Sequence, residues 1–373
     1  MKLSNAAFGI MLFIPLSAFG EETPKQVVDV GVIAPLTLGN ADRGQDIVHT
    51  LSLLGELRSQ ASERYAYRFK VEDGRCGAGS SPTTAAQKMI NVDKTRFLMT
   101  GCSGETLQAG PIAERAGVLT MAVFASHPDV KRLGEYIFRT FPDQERAIKI
   151  LADEIACLQI DRVGLLSEEN SFTQGIKALL TTELKERIAS SEDFPAETTD
   201  FRTILSKLKG RSPKILYLNA ASPATLGNLV KQARELGLSF PIYTFLHPDD
   251  RAFAQAAGAA GSGVIYLGVP NVESDTPEFR SFLATFKARF GEPHVEFLVR
   301  TTFDAFKALD AGIQAVGADA EKVKEFLTDY RAKGATGEIS FDEYGDLQGL
   351  EYVLKRVSQD GIGHSIQRCG SGR

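Results

Sequence analysis

The sequence predicts an α/β protein of two parallel-sheet lobes in series, with a chain that crosses between them more than once. Three observations lead there. From Gln26 onward, short apolar β-rich runs alternate with helical patterns, as in a parallel sheet covered by helices. The alternation breaks at Arg139-Thr140-Phe141-Pro142-Asp143 and then begins again. A length of 373 residues suits two domains of about 100 to 200 residues, each able to bury its own core.

In the first half, strands are expected at Val27–Ile33, Arg68–Val71, Phe97–Thr100 and Val118–Phe124. Between them, Ile47, Val48, Leu51 and Leu54 share a helical face, and Ser81-Pro82 supplies a cap and first-turn proline for a helix through Ile90. The second half opens with a helix carrying Ile148, Leu151, Ile155 and Leu158 on one face, then a strand at Arg162–Leu166. A helix with Ile176, Leu180, Leu184 and Ile188 follows, then strands at Ile215–Leu218, Ile242–Phe245 and Val264–Leu267. Leu226, Leu229, Val230 and Ala233 mark a further helix, ended by Gly237. The last hundred residues read as helices around Pro277–Phe290, Val295–Val316 and Glu321–Ala332, with strands at Glu338–Phe341 and Glu351–Val357 and a loose tail after Gly361. So little strand makes a poor third domain, and these elements are expected to complete the two lobes.

Composition is that of an ordinary globular protein, 43% hydrophobic and 24% charged, which argues against disorder, collagen and coiled coil. The formal net charge is -5 and no Lys/Arg cluster stands out, so nucleic acid is not expected as a partner. Lys2 followed by an apolar run to Leu16 and by Ala18-Phe19-Gly20 reads as a secretory signal, residues 1–20, cleaved near Gly20. The run is shorter than the roughly 20 residues of a membrane span. Four cysteines in an exported chain suit disulfides, and their spacing matches no metal motif. Three pairings are open. Cys76 and Cys102 fall on neighbouring strand-end loops, and by subtraction Cys157 and Cys369 would tie the tail to a helix of the second lobe.

Ligands of open parallel sheets bind outside the carboxyl ends of the strands. Gly101 to Thr106 ends a strand and opens a helix, so its backbone N–H groups and the Ser103 hydroxyl could hold a small carboxylate. Ser103 reads as readily as a turn or cap residue, but Ser126 at the next strand end adds a donor and favours a site. Enzymatic patterns are incomplete: Gly101-Cys102-Ser103-Gly104-Glu105 lacks the last glycine of a nucleophile elbow. His127 before Pro128 reads as a turn residue. No dinucleotide or phosphate-binding glycine motif sits at a strand-to-helix turn, so no cofactor is expected.

These residues carry a family likeness. The chain resembles the leucine/isoleucine/valine-binding proteins, solute receptors of branched-chain amino acid type ABC importers. The matching stretches are Val30 to Thr37, the Glu72-Asp73 to Cys76 turn, Gly101-Cys102-Ser103 through Gly117-Val118-Leu119, Arg139-Thr140, Lys231 to Leu238, and Gly337 to Asp346. The resemblance implies a type I periplasmic binding fold: two doubly wound parallel-sheet lobes joined by a hinge of three crossovers, with residues 27–140 and 270–336 in the first and 141–269 and 337–368 in the second. It also implies a periplasmic monomer that traps a small solute in the cleft and presents it to a membrane permease, and a disulfide between Cys76 and Cys102. A ligand sensor with the same fold is the alternative, although no helix-turn-helix precedes the lobes and no membrane span follows them.

By the same resemblance the carboxylate-binding serine falls on Ser103 and the next hydroxyl on Ser126, within Phe124-Ala125-Ser126, where Phe124 supplies a backbone carbonyl. The departures are as informative. The acidic residue that grips the ligand's α-ammonium falls on Leu246, aromatic site positions fall on Phe172 and Ser222, and Arg43 stands where an aromatic usually sits. An ammonium buried without its carboxylate costs several kcal/mol. The expected ligand is therefore an organic or aromatic acid rather than an ordinary amino acid, unless Glu105, Asp143, His247 or Asp249 replaces the missing carboxylate.

Overall fold

The computed structural model of the protein describes residues 24–270 and 275–370. The segment read as a secretory signal lies outside the described residues. No helix among the described residues is long and apolar enough to cross a membrane.

The chain opens with β1 (Gln26–Ala34), α1 (Ala41–Ala61), β2 (Tyr65–Asp73), α2 (Ser81–Gln87), β3 (Phe97–Cys102), α3 (Ser103–Arg115), β4 (Leu119–Phe124) and β5 (Ile137–Arg139). The five strands form one parallel sheet in the order β2-β1-β3-β4-β5. Alternation along β1 sends Val30 and Val32 into the core shared with Ile47 and Leu51 of α1. Ile33 goes to the opposite face, against Ala86 and Met89 near α2 and Ala109 and Ala113 of α3.

The second lobe repeats the plan with α4 (Gln144–Cys157), β6 (Val163–Glu168), α5 (Ser171–Leu184), β7 (Ile188–Phe194), α6 (Arg202–Gly210), β8 (Ile215–Asn219), α7 (Pro223–Glu235), β9 (Ile242–Phe245), α8 (Arg251–Ala257) and β10 (Ile265–Gly268). Side-chain caps start several of these helices: Asp143 accepts from Glu145 N–H, Asn170 from Phe172 N–H, and Ser222 from Thr225 N–H. The chain then returns to the first lobe with α9 (Pro277–Phe290), α10 (Glu296–Val316), α11 (Ala320–Thr328), β11 (Ala332–Lys333) and β12 (Glu338–Ile339). It ends in the second with β13 (Val353–Val357) and β14 (Gly363–Ser365). The second sheet has the order β14-β13-β10-β9-β8-β6-β7, with β13 running antiparallel to both its neighbours and the other pairings parallel.

Several expectations are corrected. The helix expected through Ile188 stops at Leu184, where Lys185 turns to φ +48°, and Ile188 starts the edge strand β7. β5, α6 and α8 are additional elements. The boundary expected at residue 336/337 lies later, because Ile339, Phe341, Leu347 and Leu350 belong to the first lobe's core. The tail expected to be loose is held: β14 pairs with β13, Cys369 is bonded to Cys157, and Cys369 N–H donates to Glu154 at 2.7 Å.

The crossings are tied together by Arg139, whose side chain is fully buried. Its Nε and Nη2 donate to the two oxygens of Asp346 at 2.5 Å, Nη2 also to Asp143 at 2.9 Å, and Nη1 to the carbonyl of His127 at 3.0 Å. Tyr352 Oη donates to the Pro142 carbonyl at 2.7 Å, closing the same bundle of chain crossings. Removing one partner of such a network strands the other charges. Arg139→Met should therefore lower the urea-unfolding free energy by about 3–5 kcal/mol. A loss below about 1 kcal/mol would show that the hinge does not depend on this guanidinium.

Candidate functional site

Both parallel sheets change winding direction at one place, between β1 and β3 in the first and between β6 and β8 in the second. The loops leaving these strands face each other, which is where an open α/β sheet places a ligand. Asn40 and Arg43 follow β1, Ser103 follows β3 and Ser126 follows β4. From the opposite lobe, Asn170 and Phe172 follow β6, Ala221 follows β8, and Leu246 and His247 follow β9. Together they enclose a chamber of about 20 Å³, room for about one water molecule.

On the first lobe, Ser103 Oγ accepts from Ser126 N–H at 3.1 Å and His127 N–H at 3.2 Å. Two accepted bonds use both lone pairs of a hydroxyl, so Ser103 offers the cleft its O–H donor. Glu105 stabilises the same turn from behind, accepting from Cys102 N–H at 2.8 Å and Cys76 N–H at 3.0 Å, and burial pushes its carboxyl up to about 8. The Cys76–Cys102 disulfide, with an S–S distance of 2.02 Å, joins the two loops that Glu105 bridges.

Arg43 spans the cleft. Its Nε donates to Asp250 at 3.2 Å, Nη1 to Asn40 Oδ1 at 3.1 Å and Nη2 to His247 Nδ1 at 2.9 Å, and its guanidinium lies 5.0 Å from the ring centre of Phe124. The other ring nitrogen of His247 is 2.9 Å from the carbonyl of Ala220. A carbonyl only accepts, so Nε2 carries the hydrogen and Nδ1 is the acceptor for Arg43. Burial, with the Arg43 charge second, holds His247 well below the usual imidazole range and keeps it neutral. Leu246 sits at φ +51°, a strained conformation for a side chain with a Cβ, and it brings both itself and His247 into the cleft.

A second cavity of about 320 Å³ adjoins the first and shares Arg43, Phe124 and Leu246 as walls. Its volume lies at the lower end of the range for small-molecule sites. Phe141, Val269, Val295 and Phe297 form its apolar side, and the charged Asp249, Asp250, Glu296, Arg300 and Lys355 complete the lining.

The structure thus brings together Arg43, Ser103, Phe124, Ser126, Phe172 and Leu246. It leaves out two of the expected residues. Ala125 is buried in the first lobe's core, and Ser222 caps α7. None of the four groups considered as replacement ammonium partners offers an unpaired carboxylate. Glu105 is held by backbone amides, Asp143 by Arg139, and Asp249 by Tyr266 and Lys355, while His247 is neutral. Asn40, Asn170 and Asp250 were not singled out from the sequence, although all lie at strand ends or helix starts. Val295 and Phe297 carried no such signal, because only the return of α10 to the first lobe places them beside the cleft.

The lobes are closed on each other. Asn40 Nδ2 donates to the Ala221 carbonyl at 3.3 Å, and Gly39 lies so near Ser222 that a Cβ at residue 39 would come within 2.9 Å of the serine Cβ. On the other flank, a Cβ at Gly175 would meet the His127 ring at 2.5 Å.

The periplasmic binding protein family model matches residues 77–357. A leucine-, isoleucine-, valine-, threonine- and alanine-binding protein of Pseudomonas aeruginosa is 27% identical over 285 residues, 74% of each chain. Among solved structures, a leucine-binding protein of Thermotoga maritima superposes with a TM-score of 0.80 at 21% identity, covering 91% of this chain and 98% of that one. A solute-binding protein of an ABC transporter from Rhodopseudomonas palustris, in complex with benzoate, gives 0.79 at 18% identity over 92% and 96%.

Two outcomes are expected from this geometry. Below about pH 6.5 the unfolded chain takes up a proton on the imidazole that the folded protein keeps neutral, so His247 makes stability fall as pH drops. His247→Gln, which keeps a donor and an acceptor, should flatten the pH dependence of unfolding free energy by up to about 1.4 kcal/mol per pH unit between roughly pH 6.5 and 5. An unchanged slope would mean that the folded protein accepts the proton. Gly175→Ala should disfavour the closed form, giving a larger radius of gyration by small-angle scattering while the far-ultraviolet circular dichroism stays that of the parent; an unchanged radius would show that α5 does not limit closure.

Proposed function

The chain belongs to the periplasmic binding protein family, and from that premise we propose that it is the extracytoplasmic solute-binding component of an ABC importer. It acts as a monomer in the periplasm, traps a carboxylate-bearing organic or aromatic acid between its lobes, and delivers it to a membrane permease. The observation that carries the choice of solute is that the acidic side chains lining the cavities, Asp249, Asp250 and Glu296, are each paired with a cation. Asp249 is held by Lys355 and Asp250 by Arg43, so an α-ammonium would enter without a counter-charge. An acid with an apolar body suits the same space better. Its carboxylate meets the Ser103 hydroxyl and the start of α3, and its body lies against Phe141, Val295 and Phe297.

The relatives of this chain are binding proteins, and the cleft is read as a binding site without catalysis. His127 Nδ1 accepts from the backbone N–H of Asp129 at 3.1 Å and serves its own turn rather than Ser103 as a base.

Thermal-shift and calorimetric titration of the purified protein with leucine, valine, benzoate and straight-chain and branched carboxylic acids tests this reading. A bound acid at 100 times its dissociation constant should add about 2.7 kcal/mol of stability. Stabilisation by leucine or valine alone would sink the assignment. Ser103→Ala should weaken the best acid by about 1.5–3 kcal/mol, whereas an unchanged affinity would return Ser103 to a turn role.

A further inference from the structure

The two cavities share Arg43, Phe124 and Leu246 as walls, and we take the gap beside these three side chains as the neck between them. A solute with one carboxylate oxygen in the small chamber and its apolar body in the large one passes its first carbons beside these three residues. The group attached beside the carboxylate therefore lies against Arg43. The chemistry at that point is inverted relative to a site for an amino acid: the neck presents N–H donors and a leucine side chain, not an acceptor for an ammonium.

Arg43 has donors to spare. Of the five N–H bonds of a guanidinium, one goes to Asp250, one to Asn40 and one to His247, which leaves one on Nη1 and one on Nη2. Its charge is not spare, because Asp250 is 3.2 Å away and both side chains are buried. A second carboxylate at the neck would add a buried negative charge with no counter-ion. A neutral oxygen adds none and can accept both remaining N–H bonds.

We infer that Arg43 selects a 2-oxo or 2-hydroxy acid with an apolar or aromatic side chain, its remaining N–H groups donating to the oxygen beside the carboxylate. This rests on the solute-binding reading above and narrows it to one class of acid. His247 and Asp250 are positioning residues in this scheme. Neutral Nδ1 and the aspartate each take one N–H of Arg43 and so aim the other two at the neck.

The experiment compares solutes that share one body and differ only beside the carboxylate: 4-methyl-2-oxopentanoate, 4-methylpentanoate and leucine, and likewise phenylpyruvate, 3-phenylpropanoate and phenylalanine. Calorimetry on the full chain should show each 2-oxo acid binding at least about tenfold more tightly than the acid lacking the oxygen, with the amino acid weakest. In Arg43→Met that ratio should fall to within about threefold, whatever the change in overall affinity. The double variant Arg43→Met with Asp250→Asn should show the same collapsed ratio without the stranded aspartate charge, which covers the case in which the single variant does not fold. Asp250→Asn alone should keep the preference for the 2-oxo acid. Equal affinity for 2-oxo and plain acids in the parent protein, or a preference that survives in the double variant, would overturn the role of Arg43 while leaving an acid-binding receptor. Amino acids as the tightest ligands, or no binding of any acid, would overturn the solute assignment itself and this inference with it.

Discussion

A buried guanidinium at the hinge is the constraint on which the two-lobe arrangement rests. Arg139 ends the last strand of the first sheet and meets Asp143, at the first crossing of the chain, and Asp346, just before the last. Leu347 N–H donates to the Arg139 carbonyl and Arg139 N–H to the Gly345 carbonyl, so backbone and side chain hold the same strands. Taking a guanidinium and two carboxylates out of water is costly, and it is offset only where every donor finds an acceptor. Here the remaining Nη1 hydrogens turn to the carbonyls of His127 and Ala125. Those carbonyls flank Ser126, so the group that fixes the hinge also fixes the turn that faces the cleft. Hinge geometry and site geometry are one connected network of hydrogen bonds.

The cleft follows from topology more than from any single residue. Two sheets with the same reversal of winding bring six strand-end loops to one place, and helix starts at α3, α5 and α7 add N–H groups there. What distinguishes this cleft is the way charge is distributed in it. Arg43 and Asp250 come from opposite lobes and neutralise each other, His247 is neutral, and the larger chamber sets aromatic and aliphatic groups beside the paired charges of Asp249, Glu296, Arg300 and Lys355. The closed form therefore joins the lobes through a buried ion pair and two close glycine contacts.

Much of the fold was legible because periodicity and caps are local. The spacing of Ile148, Leu151 and Ile155 sets the buried face of α4, and Gly237, at φ +69°, lies just past the end of α7. Misreadings arose where local pattern and neighbours disagree. Ile188 continues a helical spacing yet begins an edge strand, and the short β14 acquires order only by pairing with β13 and through the Cys157–Cys369 bond near it. At the cleft, Ser103 and Ser126 could be found because strand ends are predictable and ligands gather there, whereas Phe172 and Leu246 were picked out only by the family resemblance. Asp250 could not be found that way, since its meaning comes from a guanidinium about 200 residues earlier in the chain.

By itself, the sequence determined the number of lobes, the alternation of strand and helix and the strand-end loops that face the cleft, all of which depend on residues near one another in the chain. Tertiary structure alone decided which charges are paired, where the chain returns to the first lobe, and that Val295 and Phe297 stand beside Phe124 and Arg43. The physical reason is range. Periodicity, capping and turn chemistry act over a few residues, whereas ion pairing, desolvation and cavity shape are set by segments that only the folded chain brings together.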